Sequence, residues 1–152
     1  MKVRLICAGK IKEPYLRKGI DYYKSQLGKK VTVELIEVED EKTPDRASIK
    51  EEDQIRRVEG ERILRHIPQD SFVFALCIDG QQMTTEQLRR QILRPDRMKD
   101  GHVTFVIGGS LGLSPDVIRR ADEKISFSKM TFPHQMMRMI LLEQLNRVFA
   151  EG

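Results

Sequence analysis

The sequence is poor in the residues that announce covalent or metal chemistry. Its 152 residues hold two cysteines, Cys7 and Cys77, with no Cys-x-x-Cys and no histidine at ligand spacing, so both read as small buried core residues and not as redox or metal groups. Long hydrophobic runs are missing as well. With 33% charged residues a membrane span is excluded, and the N-terminal apolar stretch Leu5-Ile6-Cys7-Ala8 is shorter than the roughly 7–15 residues of a signal-peptide core. The expectation is a cytoplasmic protein. Internal repeats, low-complexity segments and linkers are absent, which leaves one domain over residues 1–152, near the usual 100–200 residues per domain.

What is present is an ordinary apolar fraction, 39%, and a slight excess of base over acid, +4 at pH 7. The apolar fraction suffices for a core without disulfides or metal. The charge leans toward anionic partners but does not choose among them.

Apolar patterning alternates between strand and helix. Residues 3–8 are rich in strand formers, and residues 12–24 carry helical spacing through Leu16, Ile20 and Tyr23. Residues 31–38 alternate apolar and polar as a half-buried strand near an edge does. The polar stretch 40–46 reads as a surface loop. Ser48, with Glu51 three positions on, forms a capping box for a helix carrying Ile55, Val58, Ile63 and Leu64. Residues 71–78 form a continuous apolar run bounded by Asp79-Gly80, which predicts a strand covered on both faces. Thr84 or Thr85 caps a helix running through Leu88, Ile92 and Leu93 and ending before Pro95. Residues 102–107 form the next buried strand. Ser114 with Pro115 opens a helix toward Asp122, residues 125–128 form a short last strand, and residues 135–150 form the most hydrophobic helix. Strands alternating with helices give an α/β layer fold with a mostly parallel sheet and helices on both faces.

In such sheets ligands bind outside the carboxyl ends of the strands. Three segments qualify: after Leu76, at Gly108-Gly109, and after Ser128. The paired glycines either form a tight turn or let backbone approach a flat ligand through positive φ. The run Gly108-Gly109-Ser110-Leu111-Gly112-Leu113 is neither a G-x-G-x-x-G nor a Walker A loop. In the last helix, Met136, Met137, Met139, Ile140, Leu141, Leu142, Leu145, Val148 and Phe149 cover more than one stripe, while Arg138, Glu143 and Arg147 are costly to bury unpaired. That combination points to a second subunit on this helix. His134 opens the helix, where the macrodipole favours a neutral ring able to exchange a proton; a purely structural role is the alternative. Arg138 and Arg147 either hold phosphates or pair with Glu143, for which only Arg147 has the i, i+4 spacing.

The segment Phe105-Val106-Ile107-Gly108-Gly109-Ser110-Leu111-Gly112-Leu113, together with Ser126-Phe127-Ser128-Lys129-Met130-Thr131-Phe132-Pro133-His134-Gln135-Met136-Met137-Arg138, resembles the RlmH family of SPOUT methyltransferases. The resemblance covers nearly the whole chain, including Ala8-Gly9-Lys10-Ile11-Lys12-Glu13. It implies a SPOUT-type fold with a C-terminal trefoil knot and a homodimer. The implied reaction is methyl transfer from S-adenosylmethionine to N3 of a pseudouridine in helix 69 of 23S rRNA on the 70S ribosome, without a metal. It also implies cofactor contacts at Leu76, Gly108, Phe127, Ser128, Lys129, Met130, Thr131 and Phe132. Because N3 must lose its proton, His134 and Glu143 are the candidate bases, with Arg138 and Arg147 orienting phosphate or base. Family members continue past Asn146-Arg147-Val148-Phe149 with a Tyr-Arg-Ala-like stretch and a tail ending near Tyr-His. Here Ala150-Glu151-Gly152 follows, so a weakened enzyme, or a module that binds cofactor or RNA without catalysis, is an alternative expectation. A SPOUT enzyme for another RNA is a third.

Overall fold

The computed structural model describes residues 1–94 and 101–150. Five strands, β1 (Lys2–Ala8), β2 (Thr32–Val38), β3 (Phe72–Gln82), β4 (His102–Ile107) and β5 (Glu123–Ser126), form one sheet in the order β2-β1-β4-β3-β5, parallel throughout. Pleating sends alternate side chains to opposite faces. On one face Val3, Leu5, Cys7, Phe74, Val103 and Phe105 pack under helices α1 (Pro14–Gly28), α3 (Thr85–Ile92) and α5 (His134–Val148); on the other, Ile6, Ala8, Val73, Ala75 and Val106 pack under α2 (Ile49–Leu64) and α4 (Pro115–Arg120). Helices therefore cover both faces, as the patterning requires, and β2 lies at an edge.

Several boundaries move, each for a local reason. Pro14 at the first helical position shifts the start of α1 from residue 12, since the residue before proline avoids helical backbone. Its end moves from residue 24 to Gly28 because Leu27 continues the buried stripe of Leu16 and Ile20. β3 runs past Asp79-Gly80 to Gln82: a register shift between Leu76 and Gln81 lets the strand pair with Ile125 on both sides of the irregularity. A side chain at Gly80 would strike the backbone of Ile125, 2.6 Å away. α4 stops at Arg120 instead of reaching Asp122, whose carboxylate accepts from Val73 N–H at 2.7 Å while its own N–H donates to Val73 O at 2.8 Å. β5 occupies residues 123–126 and not 125–128, which frees residues 127–133 to cross the end of the sheet. The capping boxes at Ser48/Glu51 and Thr84/Gln87, and the Ser114 cap with Pro115, are in place; Pro95 lies outside the described residues. Among the described residues no helix is long and apolar enough to cross a membrane.

Candidate active site

The three strand-end segments converge on one cleft of about 720 Å³, within the usual range for small-molecule sites. Its walls are apolar: Leu76 from β3, Ile107 and Leu113 flanking the turn after β4, and Ile125, Phe127 and Phe132 from the last crossing. Ile78, Met130 and Phe132 are exposed at its mouth, and His134 and Met137 of α5 close one side. Seven of the eight residues named for cofactor contact line it, namely Leu76, Gly108, Phe127, Ser128, Met130, Thr131 and Phe132; Lys129 does not.

The glycines act differently from expectation. Positive φ falls at Gly112 (82°), not at Gly108 or Gly109. Gly108 is required by close approach, since a Cβ there would lie 2.6 Å from the carbonyl carbon of Gly112, and the turn is tied by Gly112 N–H to Gly109 O at 3.1 Å. Cys77 also departs from its expected place. It is half-buried and lines the cleft, whereas Cys7 is fully buried and its thiol is pushed up to about 12 by burial.

The histidine and the three charged residues of α5 separate. His134 is half-buried at the cleft, its pKa held below the ordinary value first by burial and then by the neighbouring Arg138 charge, with Asp40 opposing. Arg138 is fully buried and faces away from solvent: Nη1 donates to Glu37 Oε2 at 3.0 Å and Nη2 to Ala8 O at 2.7 Å. Its burial thus needs no second subunit, contrary to the sequence argument, because a carboxylate 101 residues away compensates it. Glu37, which sequence reasoning passed over, also accepts from Arg17 and from Ile11 N–H at 2.9 Å. Burial alone would raise its pKa, but these donors hold it below the ordinary value. Glu143 pairs with Arg147 on the outer part of α5. At 1.5 Å rise per residue, Glu143 lies roughly 13 Å along the helix from His134, and neither it nor Arg147 lines this cleft.

A parallel α/β sheet whose carboxyl-end loops wall an apolar cleft, with a half-buried histidine at its edge, has the geometry of a small-molecule site. A family model described as "Predicted SPOUT methyltransferase" matches residues 1–150. "Ribosomal RNA large subunit methyltransferase H" of Bifidobacterium animalis subsp. lactis is 53% identical over 149 residues, covering 98% of this chain and 94% of that protein. The proteins of that name from Bifidobacterium adolescentis and Exiguobacterium sibiricum are 52% and 48% identical with the same coverage. The chain belongs to the SPOUT methyltransferase family, and it uses a methyl donor.

Proposed function

We propose that this protein methylates large-subunit ribosomal RNA, transferring the methyl group of S-adenosylmethionine to N3 of a pseudouridine in helix 69 of 23S rRNA on assembled ribosomes in the cytoplasm. The observation that carries this reading is the similarity, at about half identity over 98% of the chain, to proteins named ribosomal RNA large subunit methyltransferase H.

The cleft fits the donor. Leu76, Leu113 and Phe127 suit the faces of an adenine ring, the backbone at Gly108 suits its edge, and residues 128–132 suit the polar amino-acid part. S-adenosylmethionine supplies an electrophilic methyl group on a sulfonium that leaves as a neutral thioether. The chain's own work is then positioning and proton removal. His134, neutral and beside the cleft, accepts the N3 proton directly or through a water.

The same reading gives the protein one domain, a C-terminal knot and a homodimer. Supporting the knot is the path of residues 127–133, which carry the chain from edge strand β5 across the cleft to α5, packed against α1. Supporting the dimer are Met136, Met139 and Ile140, only partly covered on α5. Glu143 and Arg147, paired with each other, and Lys129 lie outside this cleft, where the reading gives them contact with RNA, while Arg138 acts from within the packed face of α5.

The test is incubation with labelled S-adenosylmethionine and 70S ribosomes lacking the modification, followed by mapping of the label. Transfer to helix 69 is the expected result. Label in another RNA overturns the substrate assignment, and donor binding without transfer overturns the enzymatic one.

A further inference from the structure

The turn after β4 forms one wall of the cleft, and within residues 109–113 it is held by a two-residue bridge and the packing of Leu113. Its internal tie is the short antiparallel bridge between Gly109 and Gly112, with Gly112 N–H donating to Gly109 O at 3.1 Å, and Ser110 and Gly112 are exposed. A turn so lightly tied needs outside support if it is to present its backbone in one pose.

That support comes from α2 on the opposite face of the sheet. Positions 56, 59 and 60 share one helix face by their i, i+3 and i+4 spacing; the first two meet the segment and the third meets the Ser114 cap just after it. Arg56 Nε donates to Leu111 O at 2.8 Å. The guanidinium is oriented in turn by Asp53 at 2.9 Å and Glu52 at 3.5 Å, one helical turn earlier. Glu59, only 4% exposed, accepts from Glu41 N–H at 2.9 Å and backs onto Gly109, where a Cβ would sit 3.1 Å from its Oε1. Gly60 leaves room for the Ser114 hydroxyl, the cap of α4. The turn is therefore backed by Glu59 at Gly109 and latched by Arg56 at Leu111, while Gly60 accommodates the helix that follows it.

We propose that Arg56 is a positioning residue for the methyl-donor site: reaching from α2 to the Leu111 carbonyl, it fixes the 109–113 turn in the pose that receives the donor. This rests on the reading that the cleft holds S-adenosylmethionine. Arg56 touches neither donor nor RNA target in this scheme. Its side chain is partly exposed, so replacing it removes the latch without opening a cavity in the core.

Donor binding by calorimetry, steady-state methylation and thermal unfolding of wild type, Arg56→Met, Arg56→Lys and Asp53→Asn test the proposal. A charged hydrogen bond is worth enough that losing it raises Kd and KM for the donor about tenfold, equivalent to 1.4 kcal/mol. The expected pattern for Arg56→Met is that rise with kcat at saturating donor within about twofold of wild type and an unchanged melting temperature. Arg56→Lys and Asp53→Asn fall between, because one keeps a donor and the other loosens its aim. Wild-type donor affinity in Arg56→Met overturns the inference, as does a parallel fall of kcat and melting temperature, which marks a merely structural residue. A wild-type protein that does not bind S-adenosylmethionine overturns the cleft assignment itself, an outcome separable from the first because it is read before any variant is compared.

Discussion

The Arg138–Glu37 pair makes an asymmetric stability prediction. Arg138 has no exposed surface and two acceptors, the Glu37 carboxylate and the Ala8 carbonyl, and its Nε has no partner among the described residues. Glu37 has more help: besides Arg138 it holds Arg17 and the Ile11 N–H, and its side chain keeps 18% of its exposure. Glu37→Leu therefore strands a buried cation against one carbonyl, which costs about 3–5 kcal/mol. Arg138→Met leaves a carboxylate that is still paired and partly wet, plus the unpaired Ala8 carbonyl, at about 1–3 kcal/mol. The double variant removes the stranded charge, so it is less destabilised than Glu37→Leu alone, with about 2 kcal/mol or more of favourable coupling. Urea unfolding followed by circular dichroism, at one fixed protein concentration so that any self-association does not enter, measures all three. Arg138→Met as costly as Glu37→Leu, or a double variant equal to the sum, refutes the reasoning.

The acid side offers an independent check on the same carboxylate. Its pKa is depressed in the folded protein from an ordinary value of 4.5. The stabilisation it contributes is complete above that value and is lost as pH falls through the lower folded value. The difference between wild type and Glu37→Leu accordingly narrows below about pH 4.5.

The remaining predictions concern the cleft. His134 titrates below 6.5 by NMR, and Arg138→Met moves it upward by removing the second cause of the depression; because the unfolded chain binds that proton more readily, His134 makes the fold less stable as pH drops below 6.5, the reverse of a paired histidine. Iodoacetamide at pH 8 leaves Cys7 untouched in the native protein, while Cys77, also raised by burial but lining the cleft, reacts slowly and is shielded by S-adenosylmethionine; mass spectrometry showing Cys7 modified first counts against this packing. Gly108→Ala costs more than Gly109→Ala, about 1–3 kcal/mol, because its Cβ meets Gly112 backbone at 2.6 Å whereas the other meets a side-chain carboxylate at 3.1 Å.

Local rules carried the elements that local rules control. Ser48 with Glu51, Ser114 with Pro115, and the uninterrupted run 102–107 each contain their own start or stop signal within a few residues, and each is where the pattern puts it. The misses have non-local causes. β3 continues past Asp79-Gly80 because β5, some forty residues later, supplies a partner for Gln81 and Gln82, and α4 ends early because Asp122 is recruited by Val73. The three strand ends that form the cleft were legible because parallel α/β sheets place their ligands there. The burial of Arg138 was not, since nothing in the sequence around it names Glu37 as its counter-ion; the signal available was an acidic residue in the otherwise apolar end of an edge strand. Gly112, with its positive φ, was visible as a glycine but lost beside the more conspicuous pair.

That counter-ion also explains how two halves of one sheet cooperate. The cleft is built from β3, β4 and β5, but the helix that brings His134 to it is fixed from β1 and β2. Arg138 sits one turn after His134 on α5, and its two bonds reach Ala8 at the end of β1 and Glu37 near the end of β2. Glu37 in turn secures the start of the β1–α1 connection through Ile11 N–H. A shift of either strand end therefore moves the N-terminal turn of α5, and His134 with it, relative to walls anchored on other strands. In the proposed reaction Arg138 acts on His134 in two ways without touching substrate: it sets where the imidazole stands and its charge helps lower the ring's pKa. A variant that keeps the charge while altering the bonds, Arg138→Lys, separates them. It leaves the His134 titration near its wild-type midpoint but lowers the methylation rate through misplacement, and a wild-type rate with a shifted midpoint would reverse that ranking.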